Sequence, residues 1–158
     1  STPIKSSAAS DVYKRQHYKY MMQGEAYNRL MQYEIKPSVQ RIAIMQYLME
    51  HYTHPTADVI FNALYPKMPT LSKATVYNTL NVFVEKGAVQ LITIDEKNAR
   101  YDANITPHLH FRCRGCGSIY DVEWSGFSLP QELKELFAID DVQIYCKGYC
   151  NHCKTSIH

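Results

Sequence analysis

The chain has 158 residues, of which 46% are hydrophobic and 20% charged, a composition typical of a folded protein and not of a disordered one. This length allows one ordinary domain or two small ones. The formal net charge of +2 does not exclude a nucleic-acid partner, since only one face of such a protein has to be basic. No run reaches the roughly 18 apolar residues of a membrane span. There is no signal-peptide pattern, so we expect a cytoplasmic protein with no membrane partner.

The first part of the chain predicts a polar extension followed by two helices. Residues 1–16 are small and polar without periodicity, which predicts a disordered extension, and the stretch SSAASDVYKRQ resembles translated vector sequence. A loosely amphipathic helix is predicted over 18–35. Pro37 and Ser38 mark the start of the next helix. Its apolar residues recur at helical spacing, at Val39, Ile42, Met45 and Met49.

Two further helices and a hairpin come next. Thr56 is a suitable N-cap for a helix with an apolar face at Ala57, Ile60, Phe61 and Leu64. Ser72 caps another helix, which ends at Gly87. Strands are predicted at 89–94 and 99–103, with a turn between them. The last three of these four helices, followed by a hairpin, have the order of a winged helix-turn-helix, in which the final helix enters the major groove of DNA. We assign this domain to residues 17–103.

After residue 103 the character of the chain changes. Residues 104–107 form a predicted hinge, and short strands, glycines and cysteines follow. Strands are predicted at 108–113, 118–124 and 141–147, with a helix over 130–137 between the last two. The fold class is therefore α+β, with a C-terminal α/β domain at 108–158.

Four of the five cysteines are arranged as metal ligands, in the pairs Cys113-x-x-Cys116 and Cys150-x-x-Cys153. Two residues between thiols let one tight turn present both sulfurs to one ion, and two such turns complete a tetrahedral zinc site. A closed four-thiolate site is structural, because it leaves no position open for a substrate. Unrelated thiols or a redox pair are the alternative. Cys146 is in phase with Val142 and Ile144 on a strand, which predicts a buried thiol.

A second group of candidate ligands is rich in nitrogen and oxygen. His108 and His110 are two apart on a predicted strand and therefore share one face, whereas Leu109, Phe111 and Cys113 share the other. An isolated His-x-His pair is more often merely exposed. Two carboxylates (Asp102 and Asp121) and a loop histidine (His54) strengthen the metal interpretation. Such mixed ligands suit Fe(II), Mn(II), Co(II) or Zn(II).

At these residues the chain closely resembles the Fur family of bacterial metalloregulators. The matching segments occur in family order and spacing over roughly residues 20–154. They are His54-Pro-Thr-Ala-Asp58, Ser72-Lys-Ala-Thr-Val-Tyr-Asn-Thr-Leu80, Arg100-Tyr-Asp102, His108-Leu-His110, Cys113-x-x-Cys-Gly117 and Cys150-x-x-Cys153. Two details resemble the peroxide-sensing branch, namely Asn78 in the Thr-Val-Tyr-Asn string and an Asp at position 121. Asp140 and Asp141 replace histidines that other members often have, which argues against an additional metal site.

The resemblance implies a role for each candidate ligand. It places a structural Zn(II) on Cys113, Cys116, Cys150 and Cys153. It places a regulatory Fe(II) or Mn(II) on His54, Asp102, His108, His110 and Asp121. With Fe(II) bound, peroxide is expected to oxidise His54 and His108, releasing first metal and then DNA.

The predicted activity is metal-dependent repression by a homodimer that reads a palindromic, double-stranded operator. Lys73, Tyr77 and Asn78 are candidates for groove contacts. Arg41 and the Lys97–Arg100 segment are candidates for phosphate contacts.

Three alternatives remain at the level of sequence. The first is a repressor that senses iron or another metal reversibly. The second is a metalloenzyme, although the chain has no HExxH motif, nucleophile elbow or phosphate loop. The third is a switch based on disulfide formation. We expect no enzymatic turnover.

Overall fold

The computed structural model describes residues 11–12, 14–16 and 19–156. They fall into two compact units. The N-terminal unit comprises the described residues of Ser1–Ile92 together with Asn98–Ile105. The C-terminal unit comprises Thr93–Lys97 and the described residues of Thr106–His158.

The N-terminal unit is a winged helix-turn-helix, as predicted. Its elements in chain order are α1 (Glu25–Gln32), α2 (Val39–Glu50), α3 (Ala57–Leu64), α4 (Lys73–Glu85), β1 (Gln90–Ile92) and β2 (Arg100–Asp102). The three predicted N-caps are confirmed, because Ser38, Thr56 and Ser72 each accept a hydrogen bond from the backbone N–H three residues on. The strands β1 and β2 pair antiparallel. No helix within the described residues is both long and apolar enough to cross a bilayer.

The predicted helix over 18–35 is wrong in extent. Residues 19–21 are helical, but a turn follows and α1 begins only after Gly24, which adopts an extended conformation as its N-cap. Glu34 then has a left-handed backbone with φ 55°, which ends helical geometry because left-handed residues cannot continue a right-handed helix. Residues 11–12 and 14–16 are also helical, where no regular structure is predicted. Tyr18 and residues 1–10 lie outside the described residues.

The core of the N-terminal unit fixes how α4 is presented. Val76, Leu80 and Phe83 on α4 are completely buried, and they belong to one apolar cluster with residues of the other three helices and of β2. Burying side chains of this size stabilises a fold by about 1.5–3 kcal/mol each. The opposite face of α4 is therefore left in solvent.

The C-terminal unit is built on a small mixed sheet. Its elements are β3 (Leu109–Cys113), β4 (Ile119–Val122), α5 (Gln131–Leu136), β5 (Tyr145–Gly148) and α6 (Asn151–Lys154). The strand order is β4-β3-β5, with β4 antiparallel and β5 parallel to β3. The strand predicted at 141–147 begins only at Tyr145, and the short helix α6 is not predicted by the sequence.

The register of this sheet sorts its side chains onto two faces. His110 lies opposite Asp121 on β4 and Tyr145 on β5, whereas Phe111 lies opposite Tyr120 and Cys146. The predicted placement of His110 and Phe111 on opposite faces of the sheet is therefore confirmed. The prediction that Cys146 is buried is wrong. This thiol is exposed because it lies on an edge strand, on the same face as the exposed Tyr120.

The turn that joins β1 to β2 belongs to the C-terminal unit. Within this turn, Thr93–Lys97, Ile94 is completely buried. The Asp95 carboxylate lies 3.7 Å from the guanidinium of Arg112 on β3 and also accepts the backbone N–H of Lys97 at 3.1 Å. The burial of Ile94 and the ion pair between Asp95 and Arg112 therefore hold this turn in the C-terminal unit.

Candidate metal centres

The four predicted cysteine ligands lie together in the C-terminal unit. One sulfur from each of Cys113, Cys116, Cys150 and Cys153 lies within 4.8 Å of every other. The sulfurs of Cys116 and Cys150 are 3.9 Å apart. A tetrahedral zinc site with Zn–S bonds of about 2.3 Å has sulfurs about 3.8 Å apart. The arrangement therefore fits a tetrahedral zinc ion.

Two tight turns bring these sulfurs together. The first follows β3, where the Gly117 N–H donates to the Cys113 carbonyl at 2.9 Å and Gly117 adopts φ 73°. A side chain on Gly115 would place its Cβ only 2.8 Å from both Cβ and Sγ of Cys153. The second turn leads from β5 into α6, with Cys150 at the N-cap. Glycine at 115 is thus required for the two turns to approach each other.

Backbone N–H groups stabilise the thiolate form of one cysteine in this cluster. The N–H groups of Cys150 and Cys116 donate to Cys113 Sγ at 3.3 and 3.5 Å and lower the pKa of the Cys113 thiol to about 6. The pKa of Cys153 is raised to about 12, chiefly because its thiol hydrogen-bonds to Cys113 and then to Cys150. Four thiolates so close together repel one another, so a bound cation is needed to deprotonate all of them.

A histidine and a carboxylate meet in the N-terminal unit. His54 Nε2 lies 3.5 Å from Asp102 Oδ2, and the two side chains are only 2% and 1% exposed. His54 follows α2 on a loop and has a left-handed backbone with φ 53°, which costs about 1–2 kcal/mol for a residue other than glycine. Strain of this kind is concentrated at functional sites.

Strand β2 holds this loop in place. The Arg100 guanidinium donates to the His54 carbonyl at 3.1 Å, and the Tyr101 N–H donates to the Pro55 carbonyl at 3.1 Å. Arg100 belongs to the segment predicted to contact phosphates, and its guanidinium also holds the His54 loop through this hydrogen bond. The two residues are 46 positions apart, and no local pattern in the sequence indicates their contact.

The remaining three candidate ligands lie together in the C-terminal unit. Nε2 of His108 and Nε2 of His110 are 2.9 Å apart, and they lie 3.4 and 3.2 Å from Asp121 Oδ1. The His108 Nδ1 lies 2.6 Å from the Thr106 carbonyl, which fixes its proton on Nδ1 and leaves Nε2 with a lone pair. Three atoms that could bind a metal ion therefore lie close together on one face of the sheet.

The residues predicted to contact DNA groove edges share the solvent face of α4. Lys73, Tyr77 and Asn78 are all exposed, as expected for side chains opposite the buried face. Arg41 lies at the first turn of α2, where its Nη1 donates to the Lys36 carbonyl at 2.9 Å.

Comparisons with known proteins agree with this architecture. A model of the ferric uptake regulator family matches residues 32–145. The peroxide-responsive repressor PerR of Staphylococcus epidermidis is 38% identical over 125 residues, which cover 76% of this chain and 82% of the relative. PerR of Staphylococcus aureus strain Mu50 is 37% identical over 135 residues, covering 82% of this chain and 90% of the relative.

Solved structures show the same fold. The ferric uptake regulator of Pseudomonas aeruginosa with manganese superposes with a TM-score of 0.62 at 20% identity, covering 81% of this chain and 99% of the other. The regulator of Francisella tularensis with iron gives a TM-score of 0.60 at 22% identity, covering 76% and 95%. The chain belongs to the ferric uptake regulator family.

Proposed function

We propose that the protein is a dimeric, metal-dependent repressor of the cytoplasm that binds a palindromic operator and senses peroxide. One observation carries the proposal. Five candidate ligands are divided between the units. His54 and Asp102 belong to the N-terminal unit, and His108, His110 and Asp121 belong to the C-terminal unit. Neither set completes the coordination of a divalent ion alone, so a single ion that uses both sets would couple the units.

The proposed regulatory ion is Fe(II) or Mn(II). Imidazole and carboxylate donors suit these metals, whereas the four-thiolate cluster suits Zn(II). The curated relatives are named peroxide-responsive repressors, which supports a regulator and not an enzyme. Shifting an equilibrium between two conformations from 1:99 to 99:1 requires about 5.5 kcal/mol of differential affinity. An ion that gains its full ligand set in only one conformation can supply that difference.

The proposed DNA contacts follow from the exposed face of α4. Lys73, Tyr77 and Asn78 are oriented away from the core, as a helix inserted into the major groove requires. We propose that Arg41 and the Lys97–Arg100 segment contact phosphates at the edges of the groove. Arg100 also donates a hydrogen bond to the His54 carbonyl. The hinge at 104–107, between a DNA-binding domain at 17–103 and a dimerisation domain at 108–158, remains part of this proposal.

The proposed dimer interface is the apolar face of the C-terminal unit. Tyr120, Val122 and Trp124 are 42–45% exposed, and Phe137 is 60% exposed. Exposed apolar side chains often mark an interaction surface, and an isologous dimer could bury these four. Substituting Tyr120 and Val122 with glutamate should yield a monomer in analytical ultracentrifugation. Glutamate at the equally exposed Tyr65 of the N-terminal unit should not.

The proposed peroxide response is oxidation of His54 or His108. Bound Fe(II) would activate peroxide beside these rings, and the two electrons that reduce the peroxide would come from the imidazole that is oxidised. One oxygen atom of the peroxide is added to a ring carbon and the other leaves as water. The oxidised ring is a poorer ligand, so the protein loses the regulatory metal and then the operator. The alternative, a reversible iron-responsive repressor, predicts the same metal dependence without histidine oxidation.

The test compares DNA binding with and without each metal. A duplex selected from random sequences should bind tightly with Fe(II) or Mn(II) and weakly without them. His54→Ala should abolish the metal effect, whereas His51→Ala should not, since that exposed ring stacks on Tyr47. After peroxide, mass spectrometry should find one added oxygen on a peptide containing His54 or His108 in the Fe(II) protein and none in the Mn(II) protein. Unmodified histidines would reject peroxide sensing, and zinc lost on oxidation would favour a cysteine switch.

A further inference from the structure

The ammonium of Lys73, the first residue of α4, is held by the preceding helix. It lies 3.3 Å from Asp58 Oδ1 and 5.7 Å from the centroid of the Phe61 ring. Asp58 is in the first turn of α3. The two charged side chains are 59% and 57% exposed, so neither is confined by packing.

This arrangement gives Lys73 an anionic partner inside the protein. A lysine at the first position of a helix places a cation at the positive end of the helix dipole, which is unfavourable. The Asp58 carboxylate compensates for it, and the aromatic face adds a weak attraction. Because Lys73 is at the N-terminal end of α4, its ammonium could also pair with a phosphate at the edge of the groove, and it would then have to leave Asp58.

We propose that Asp58 competes with the DNA backbone for Lys73 and so lowers the affinity of the protein for DNA. The inference rests on the proposed function, because it requires that α4 binds DNA. When Lys73 moves to a phosphate, the ion pair opens, and the carboxylate is left beside a second anion. Exposed ion pairs are weak, so the effect on affinity is moderate. Removing the carboxylate should tighten DNA binding by about 2- to 10-fold.

The experiment uses the full-length, zinc-loaded dimer with Mn(II), and follows the anisotropy of a labelled mixed-sequence duplex of about 30 base pairs. Phosphate contacts do not depend on sequence, so no operator is needed. Binding by the wild type is measured first, which tests the proposed function separately. Asp58→Asn should then bind more tightly, and Lys73→Gln more weakly, with its salt slope reduced by about 1.

The double variant decides between competition and simple repulsion. If Asp58 acts through Lys73, the Asp58→Asn gain should disappear in the Lys73→Gln background. Glu85→Gln removes the same charge from the exposed last residue of α4 and should leave affinity unchanged. An equal gain from Glu85→Gln would overturn the proposal. It would also be overturned by a gain that persists in the double variant, or by wild-type affinity in Lys73→Gln. Thermal melts should differ by only a few degrees among the variants, because exposed ion pairs and charges at helix ends contribute at most about 1 kcal/mol.

Discussion

Replacing Gly115 with alanine should weaken zinc binding without touching a ligand. The added Cβ would lie 2.8 Å from Cβ and Sγ of Cys153, about 1 Å inside ordinary carbon–carbon contact. Metal–ligand distances tolerate changes of only about 0.2 Å. Relieving the clash must therefore displace the Cys153 sulfur from its bonding position. Changes that disturb the support of a ligand reduce metal affinity by about 10- to 100-fold, which corresponds to about 1.4–2.7 kcal/mol.

The measurement is competition for zinc against a chromophoric chelator, with the wild type and two glycine controls. Gly117→Ala keeps the space open, since nothing lies within 4 Å, but forces alanine to φ 73°; it isolates backbone strain from steric displacement. Gly24→Ala has no contact closer than 3.7 Å and lies in the N-terminal unit, so zinc affinity should be unchanged. Wild-type zinc affinity in Gly115→Ala would refute the close approach of the two turns.

Three other perturbations test the fold and the thiol cluster. Leu80→Ala removes a completely buried side chain and should lower the free energy of unfolding by about 2–5 kcal/mol in urea denaturation, whereas Met31→Ala, at a 52% exposed position, should cost far less. Ser72→Ala removes the cap that accepts the N–H three residues on at 3.1 Å, and we expect a loss of about 1 kcal/mol in the same assay. In the reduced, zinc-free protein, hydrogen bonds from the backbone N–H groups of Cys150 and Cys116 lower the Cys113 pKa from its ordinary value of 9.0 to about 6. Its contribution to stability should therefore be complete above pH 9 and be lost as the pH falls through 6. Urea titrations of Cys113→Ser should show a weaker dependence on pH across that window, and identical slopes would contradict it.

The elements of the N-terminal unit could be predicted because their signals are local. Each N-cap precedes an apolar stripe by a few residues, and Ser38, Thr56 and Ser72 all accept the expected hydrogen bonds. The break at Gly24 was not predicted, since the apolar spacing continues across it while the backbone does not. The left-handed Glu34 is likewise invisible to periodicity.

The candidate metal ligands could be predicted in part for a similar reason. The two residues between the cysteines of each pair indicate a shared turn, and the single residue between His108 and His110 indicates a shared face of a strand. The role of Arg100 could not be read in this way, because its partner His54 is distant in sequence. Cys146 shows a related limit, since alternation assigns a side chain to a face of the sheet but does not determine whether that face is covered.

The turn Thr93–Lys97 has a consequence for how this protein can be dissected. The chain passes from one unit to the other after Ile92, again after Lys97 and a third time after Ile105, so no single cleavage releases both pieces intact. A fragment that ends at residue 103 would separate Ile94 and Asp95 from the C-terminal unit to which they belong, and would remove Asp95 from the guanidinium of Arg112. A hybrid made by joining the N-terminal unit of one such protein to the C-terminal unit of another at a single position would combine a turn and a sheet from different proteins. A working hybrid must therefore take the turn and the sheet from the same protein.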